Sequence, residues 1–322
     1  MIEIGLNAVI VAVADPHPQV LTIAPGGQAG PPYALPFGPF DPTRHRTFEI
    51  GLREWVEEQT ALKLGYVEQL YTFGDRGRHH IHSDEGPHVV SVGYLALARQ
   101  TSRSDEALAQ QHAQWRSWYD FFPWEDWRSG RPAMVTREIL PALEHWMAAP
   151  VPAGSPPRAQ SREDRVHQAF DIQDGSWDEE KVLDRCELLY EAGLLEEARR
   201  DGRPAALERK ATPALGQPML YDHRRILATA ISRLRAKLKY RPVVFELMPH
   251  AFTLTDLQRC VEAISGRHIH KQNFRRLVEK GDLVEPTGET STQTGGRPAA
   301  LFRFRHEVLK ERPALGLRVG GR

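Results

Sequence analysis

Three glutamates close together in residues 53–58 (Arg-Glu-Trp-Val-Glu-Glu) are the first candidates for chemistry. Glu54, Glu57 and Glu58 stand at positions i, i+3 and i+4, so they share one face of a helix. Carboxylate oxygens, together with water and a diphosphate, form the environment that Mg²⁺ prefers. The spacing therefore predicts either a metal-assisted nucleotide site or a solvated acidic face.

A second candidate group lies near the C-terminal end, in a predicted helix over residues 270–280 (HKQNFRRLVEK). Arg pairs with guanine, Asn and Gln pair with adenine, and Lys neutralises phosphate charge. We expect Phe274, Leu277 and Val278 to face inward. The polar side chains of this helix that we predict to contact DNA are His270, Lys271, Gln272, Asn273, Arg275 and Arg276. The alternative interpretation is a solvated basic face.

Two further basic segments flank this helix. The predicted helix over residues 222–238 ends in a basic run, in which Lys237, Lys239 and Arg241 are candidate DNA contacts. Arg297 follows two glycines in a loop between two predicted strands, where a flexible base lets it reach the minor groove or a phosphate.

Charge is divided unequally along the 322 residues, although the whole chain is formally neutral. Residues 220–322 contain 20 Lys and Arg against 10 Asp and Glu, a net of +10, and residues 1–219 contain 22 against 32, a net of −10. Such an asymmetry indicates that one end meets a polyanion while the other has a different task.

Composition excludes several classes of protein. No apolar run approaches the roughly 20 residues of a membrane span, and acidic residues at the start argue against a secretory signal. We therefore expect a soluble, cytoplasmic protein that does not contact membranes. Cys186 and Cys260 lack the spacing of a zinc site or a disulfide framework, so we expect two buried thiols.

Periodicity predicts an α+β protein in three parts. The N-terminal part (residues 1–148) has the order strand, strand, helix, strand, strand, helix, helix, which gives a mixed sheet with helices on its faces. The elements predicted here are strands 7–14, 19–23, 67–73 and 88–98, and helices 46–62, 105–119 and 137–147. A linker rich in Pro and Ala (149–161) then opens a connector region (149–218) with an amphipathic helix over 177–199, which Gly193 can break. It is a candidate connector or dimer helix.

The C-terminal part (residues 219–322) has the order helix, helix, helix, β-hairpin, which is the outline of a winged helix. The elements predicted here are helices 222–238, 253–265 and 270–280, an apolar strand-like run 242–247, and strands 283–286 and 300–305. Thr253 is a suitable N-cap and Gly266 a suitable C-cap for the second helix.

The segment REWVEE, which follows a predicted hairpin and Leu-Pro-Phe-Gly at 35–38, resembles the Nudix signature. In that family the Arg orients the helical glutamates, which bind Mg²⁺. The resemblance implies these roles for Arg53, Glu54, Glu57 and Glu58, with the three glutamates forming a vestigial metal site in an N-terminal Nudix-like α/β/α sandwich.

The first half of the signature is altered in this chain. Gly38 lies one residue too far upstream, His45 occupies the position of the upstream Glu, and Thr60 replaces the Gly after the helix. These departures lead us to expect a pocket that binds a nucleotide and has lost hydrolysis. An active Mg²⁺-dependent hydrolase of a nucleoside diphosphate derivative is the alternative function, and an interaction scaffold without a ligand is a third.

The C-terminal third, with YDHRRILATAISRLRAKLKY, HKQNFRRLVEKGDL and GGRPAALFRF, is similar to the winged helix of the Nudix-related transcriptional regulators, the NrtR family. With the segment at 118–132 included, the chain most resembles the NadQ type, which is regarded as repressing NAD biosynthesis genes. The resemblance implies a homodimer that binds operator DNA and senses an adenine nucleotide (NAD, ADP-ribose or ATP), with no required cofactor and with Mg²⁺ as a candidate companion of the nucleotide.

The loop over residues 74–82 (GDRGRHHIH) occupies the position of the substrate-facing loop of these regulators. We predict that Arg76 and Arg78 contact the ligand phosphates. The histidines of this loop suit either a transition metal or a polar surface. Four tryptophans between 115 and 127 suit either adenine stacking or a packed edge of the domain.

Overall fold

The structure is a computed structural model of the chain. It describes residues 2–14, 16–24, 33–75, 88–99, 108–151, 159–170, 177–239, 241–291, 298–305 and 307. No helix among these residues combines the length and the apolar composition needed to cross a bilayer.

A mixed sheet forms the N-terminal part, in the strand order β4-β5-β1-β2-β6, with β3 pairing to β1. The strands are β1 (Ile2–Ala14), β2 (His17–Ile23), β3 (Phe37–Pro39), β4 (Val67–Phe73), β5 (His88–Leu97) and β6 (Ala113–Ser117). β1 and β5 run parallel, and the other pairs are antiparallel. The α+β fold class is confirmed, as are the predicted hairpin and the strands at 67–73 and 88–98.

Both faces of the sheet carry a helix, because the side chains of β1 alternate between them. On one face, Leu6, Ala8 and Ile10 of β1 pack with Leu52 and Val56 of α1 (Phe48–Thr60). On the other face, Val9 and Val11 of β1 and Leu95 of β5 pack with Ile226 and Ile231 of α7 (His223–Leu238). At Gly93 of β5 a Cβ atom would lie 2.9 Å from Ile226 Cγ2, so this glycine permits α7 to approach the sheet.

The helix predicted over residues 105–119 is wrong for its second half. Residues 108–110 are helical, but Ala113–Ser117 forms β6 and pairs with β2 from Gln19 to Ile23. A free hydrogen-bonding edge on β2 outweighs the local helical pattern, since every residue of β6 gains a partner strand. Two short 3₁₀ turns follow, at Trp118–Asp120 and Pro123–Glu125.

Short helices connect the sheet to the C-terminal part. They are α2 (Leu140–Ala148, after a π-helical turn at Val135–Ile139), α3 (Arg162–Phe170), α4 (Val182–Glu191), α5 (Glu196–Arg200) and α6 (Pro204–Leu207). The predicted helix over 177–199 is broken at Gly193, which adopts φ 70°. α4 packs against α3 and α7. Cys186 and Cys260 are buried thiols, as expected.

A winged helix follows α7. It consists of a 3₁₀ turn (Val243–Glu246), α8 (Leu254–Ser265), α9 (Lys271–Gly281) and the hairpin β7 (Val284–Ser291) and β8 (Ala299–Phe304). The strand expected over 242–247 is wrong, because this run forms the 3₁₀ turn and buries Val243, Val244 and Phe245. Thr253 and Asp256 form a capping box, and Gly266 ends α8 with φ 73°, as the sequence predicts.

One buried carboxylate joins all these parts. Glu125, which is fully buried, accepts two hydrogen bonds from Arg185 of α4 (2.7 and 2.8 Å) and one from Arg235 of α7 (2.8 Å). Arg235 also donates to the carbonyl oxygen of Ile264 in α8 (2.8 Å). Burial opposes the charge of Arg235, but Tyr119 and Glu125 beside it raise its pKa. The cluster ties the sheet, the connector and the winged helix together.

We predict that Glu125→Gln destabilises the protein by about 3–5 kcal/mol, since it leaves two buried guanidinium groups without a counter-charge. Urea unfolding followed by circular dichroism measures the change. The matched control is Glu144→Gln, which removes an exposed carboxylate from α2 and should change stability by less than about 0.5 kcal/mol. A loss below about 1 kcal/mol for Glu125→Gln would show that the cluster does not hold the parts together.

Candidate functional site

The helix α1, which carries REWVEE, packs on one face of the sheet and is tied to β3 by side chains of its C-terminal half. Thr47 caps its N-terminus by accepting a hydrogen bond from Ile50 N. Near its C-terminus the Gln59 amide accepts from Phe37 N (3.0 Å) and donates to Phe37 O (2.7 Å), while Trp55 Nε1 donates to Pro39 O (2.9 Å). These bonds fix the orientation of the glutamate face relative to β3.

Arg53 does not reach the glutamates that it is predicted to orient. Its guanidinium donates to the carbonyl oxygens of Leu64 and Gly65 and to Glu49 Oε1 (3.0 Å). It therefore ties α1 to the loop that leads into β4. Its predicted part in ligand binding remains a prediction.

The carboxylate of Glu54 interacts with a neighbouring histidine. His45, whose side chain is buried, accepts a hydrogen bond from Asp41 N at Nδ1 (3.1 Å) and places Nε2 3.2 Å from Glu54 Oε2. Because Nδ1 is an acceptor, the proton of a neutral imidazole lies on Nε2 and points at Glu54. His45, in the signature position of an acid, thus acts as a donor to the first glutamate.

Glu57 and Glu58 are exposed on α1. Lys63 Nζ lies 3.6 Å from Glu57 Oε1, an ion pair open to water. Among the residues that the structure describes, no group of three or more His, Cys, Asp or Glu is arranged to hold a metal ion. Glu54 faces His45 and Glu57 faces Lys63 in this structure, and the part of the three glutamates in holding a metal remains a prediction.

The predicted ligand contacts Arg76 and Arg78 lie outside the described residues, as do the loop histidines and the wing residue Arg297. Asp75, the second residue of the loop over 74–82, forms an ion pair with Arg225 in the first turns of α7. Arg225 Nε also lies 2.9 Å from Glu187 Oε1, and its guanidinium stacks over Phe73. The sequence pattern gives no signal for this contact between positions 150 residues apart.

The C-terminal helix α9 shows the polar face that its sequence predicts. Phe274 and Val278 are buried against the rest of the winged helix, and Leu277 is half-buried. The exposed residues of this face are His270, Lys271, Gln272, Asn273, Arg275 and Arg276. Within the described part of the chain, their side chains form no hydrogen bond or ion pair, so their donors face solvent.

The lysines of the basic run before the winged helix contact other parts of the protein. Lys237 forms an ion pair with Glu68 of β4 and donates to Tyr66 OH (2.8 Å). Burial lowers the pKa of Lys237, but the hydrogen bonds to Glu68 and Tyr66 outweigh it and raise that pKa above its ordinary value. The positive charge is therefore retained and is compensated within the protein.

Lys239 is used in the same way. It lies 2.6 Å from Glu180 and 3.0 Å from Glu179, and these carboxylates raise its pKa although burial lowers it. Arg235, in the same run, is buried beside Glu125, whereas Arg241 is exposed. The structure brings the six residues of α9 together on one surface, and it places Lys237 and Lys239 in contacts with the N-terminal and connector parts.

The tryptophans between 115 and 127 are packed. Trp118 and Trp124 are fully buried, and Trp127 stacks on Trp177 with ring centroids 4.2 Å apart. Packing, the second of the two interpretations from sequence, is confirmed for these three rings. They line the junction around Glu125.

Comparison with known proteins gives independent support for this architecture. Residues 244–304 match the family model described as the NrtR DNA-binding winged helix domain. A curated relative, the ADPR responsive transcriptional repressor NtrR of Acinetobacter baylyi, is 40% identical over 91 residues. That match spans 28% of this chain and only 36% of the relative's length.

The fold as a whole is similar to solved structures of NrtR from Shewanella oneidensis. The crystal structure of that protein complexed with a 27mer DNA has a TM-score of 0.52 and 21% identity, covering 94% of this chain and 93% of the other. A second crystal structure of Shewanella oneidensis NrtR has a TM-score of 0.51 and 20% identity, covering 94% of each chain. Residues 244–304 thus match an NrtR-type winged helix, and the chain as a whole has the fold of the Shewanella oneidensis NrtR structures.

Proposed function

We propose that this protein is a transcriptional regulator that binds duplex DNA through α9 and responds to an adenine nucleotide in its Nudix-like part. The observation that carries the proposal is the set of six exposed polar residues on α9, within a segment that matches the NrtR winged helix. Their types suit base edges and phosphates, and nothing in the described chain occupies them.

ADP-ribose is the effector that we favour over NAD and ATP. The name of the Acinetobacter relative, a repressor responsive to ADPR, supports this choice. The same likeness supports repression as the direction of control, and NAD biosynthesis genes as the regulated genes follow from the NadQ-like features of the sequence. The ligand contacts that we propose are Arg53, Glu54, Glu57, Glu58, Arg76 and Arg78.

A physical route from effector to DNA runs through α7. This helix packs on the sheet, pairs with Asp75 at the start of the loop over 74–82, and holds α8 through Arg235. A nucleotide that binds two arrangements of these parts unequally must shift the population that binds DNA. Coupling is reciprocal, so DNA must change nucleotide affinity by the same factor.

A homodimer is the assembly that we propose on DNA. Two copies of α9 related by a twofold axis would enter successive major grooves about 34 Å apart on a palindromic site. The mass of the protein particle measured by analytical ultracentrifugation, with and without DNA, shows directly whether it is a dimer.

We predict that the double variant Lys271→Gln and Arg275→Gln lowers DNA affinity by at least about tenfold, because each base or phosphate contact is worth about 1–3 kcal/mol. Fluorescence anisotropy with duplexes from the upstream regions of NAD biosynthesis genes, and with duplexes selected by the wild-type protein from a random library, measures the change. The slope of affinity against salt should become shallower, since fewer counterions are released.

Lys63→Gln is the matched control for this experiment. It removes one exposed positive charge from the loop after α1, far along the chain from the winged helix, and should leave DNA affinity unchanged. Equal affinities for the wild type and the double variant would contradict the proposed DNA surface.

We predict that ADP-ribose stabilises the protein, by about 2.7 kcal/mol at a concentration one hundred times its Kd, and changes DNA affinity. Thermal melting with ADP-ribose, NAD and ATP, followed by DNA titrations at saturating nucleotide, measures both effects. A melting curve that none of the three nucleotides moves would refute the sensing function while leaving DNA binding untouched.

We also predict that ADP-ribose is bound without appreciable cleavage. His45 donates to Glu54, and Lys63 faces Glu57, so the glutamates do not converge as a metal-bound hydrolytic group requires. Chromatographic detection of AMP after incubation with ADP-ribose and Mg²⁺ tests this. Turnover that disappears in Glu57→Gln would instead establish a Nudix hydrolase.

A further inference from the structure

The recognition helix α9 begins without a side-chain cap of its own. His270 is its N-cap residue, with extended backbone, and makes no capping hydrogen bond. The preceding helix α8 differs, because Thr253 and Asp256 form a reciprocal capping box at its start. The direction in which α9 leaves the turn must therefore be set by another contact.

Two side chains of α8 supply that contact by holding Ile269, the residue directly before the N-cap. Ile269 N donates to Glu262 Oε1 (2.8 Å), and Gln258 Nε2 donates to Ile269 O (2.8 Å). Gln258 Nε2 also lies 3.0 Å from Glu262 Oε1. Positions 258 and 262 are one helical turn apart, so the pair forms a rigid clamp on both polar groups of one peptide residue.

The clamp is built into the winged helix. The side chain of Glu262 is 12% exposed, and its second oxygen lies 3.2 Å from Nδ1 of His268 in the same turn. A carboxylate buried to this degree is costly unless donors surround it, and here the donors come from the turn itself. The turn starts at Gly266, where an added Cβ would lie 2.5 Å from Glu125 O, so its other end is also held.

We infer that Gln258 and Glu262 are positioning residues that set the entry of α9 into the DNA groove and thereby its sequence discrimination. Phe274 and Val278 hold the middle of α9 on the core, whereas the clamp acts at the end that presents His270 and Lys271. A shift at this end misaligns base contacts, which need close geometry, more than phosphate contacts, which tolerate displacement. The inference rests on the proposed DNA binding by α9.

The test compares Glu262→Ala and Glu262→Gln with the wild type on two probes. The first probe is the duplex that the wild-type protein selects from a random library, and the second is a scrambled duplex of the same composition. We expect Glu262→Ala to reduce the ratio of the two affinities by about tenfold or more, while affinity for the scrambled duplex changes less than about threefold. Glu262→Gln keeps an acceptor for Ile269 N and should restore most of the ratio.

Glu279→Ala is the matched control, because it removes an exposed carboxylate from α9 itself without touching the turn. Its affinity ratio should equal that of the wild type. Gln258→Leu is the second variant: it leaves Glu262 in place, frees Ile269 O, and should lower the ratio in the same direction even if Glu262→Ala unfolds.

Three outcomes would overturn the inference. An unchanged ratio in Glu262→Ala or Gln258→Leu shows that the clamp does not position α9. Equal losses on both duplexes, accompanied by a lower melting temperature, show a role in folding alone. If the wild-type protein selects no sequence from the library, the proposed DNA binding itself is wrong. That result is distinguishable from a failure of the clamp alone.

Discussion

The structure depends on burying one negative charge between two positive ones. Glu125 has no exposed surface, and Arg185 and Arg235 surround its carboxylate from two helices. Removing three charges from water is expensive, and the hydrogen bonds to carbonyl oxygens of Ala169, Asp178 and Ile264 offset part of that cost. Such a cluster contributes less to net stability than to specificity, since any other arrangement of the parts leaves a charge uncompensated. The relative placement of sheet, connector and winged helix follows from it.

This constraint makes α7 a shared element. Its apolar stripe forms the second helical layer of the sheet, and its polar positions carry Arg225 toward Asp75 and Arg235 toward α8. The sequence boundary at residue 219 groups this helix with the winged helix, and the family match begins only at residue 244. A helix that is packed into one part and bonded to the other transmits a displacement, because close-packed cores do not absorb it.

Local pattern predicted most elements, because alternation and helical period depend on neighbours in sequence. The capping box at Thr253, the αL residue at Gly266 and the polar face of α9 all follow from short-range rules and are present. Strand β6 was missed, since its reason to exist is the open edge of β2. The clamp on Ile269 and the Asp75 contact were missed for the same reason: they join residues whose proximity only the tertiary fold creates.

The fold shows where the unequal charge of the sequence is used. The C-terminal excess of +10 suggests a broad basic surface, but much of it is compensated internally. Lys237 and Lys239 pair with acids of the N-terminal and connector parts, and Arg235 is buried. Part of the negative net charge of residues 1–219 is thus compensated by positive charge of residues 220–322, through ion pairs that attract the parts to each other. The polar side chains of α9 are exposed on the described surface. A small, well-held set of donors discriminates between base edges better than a diffuse basic surface, which binds any polyanion.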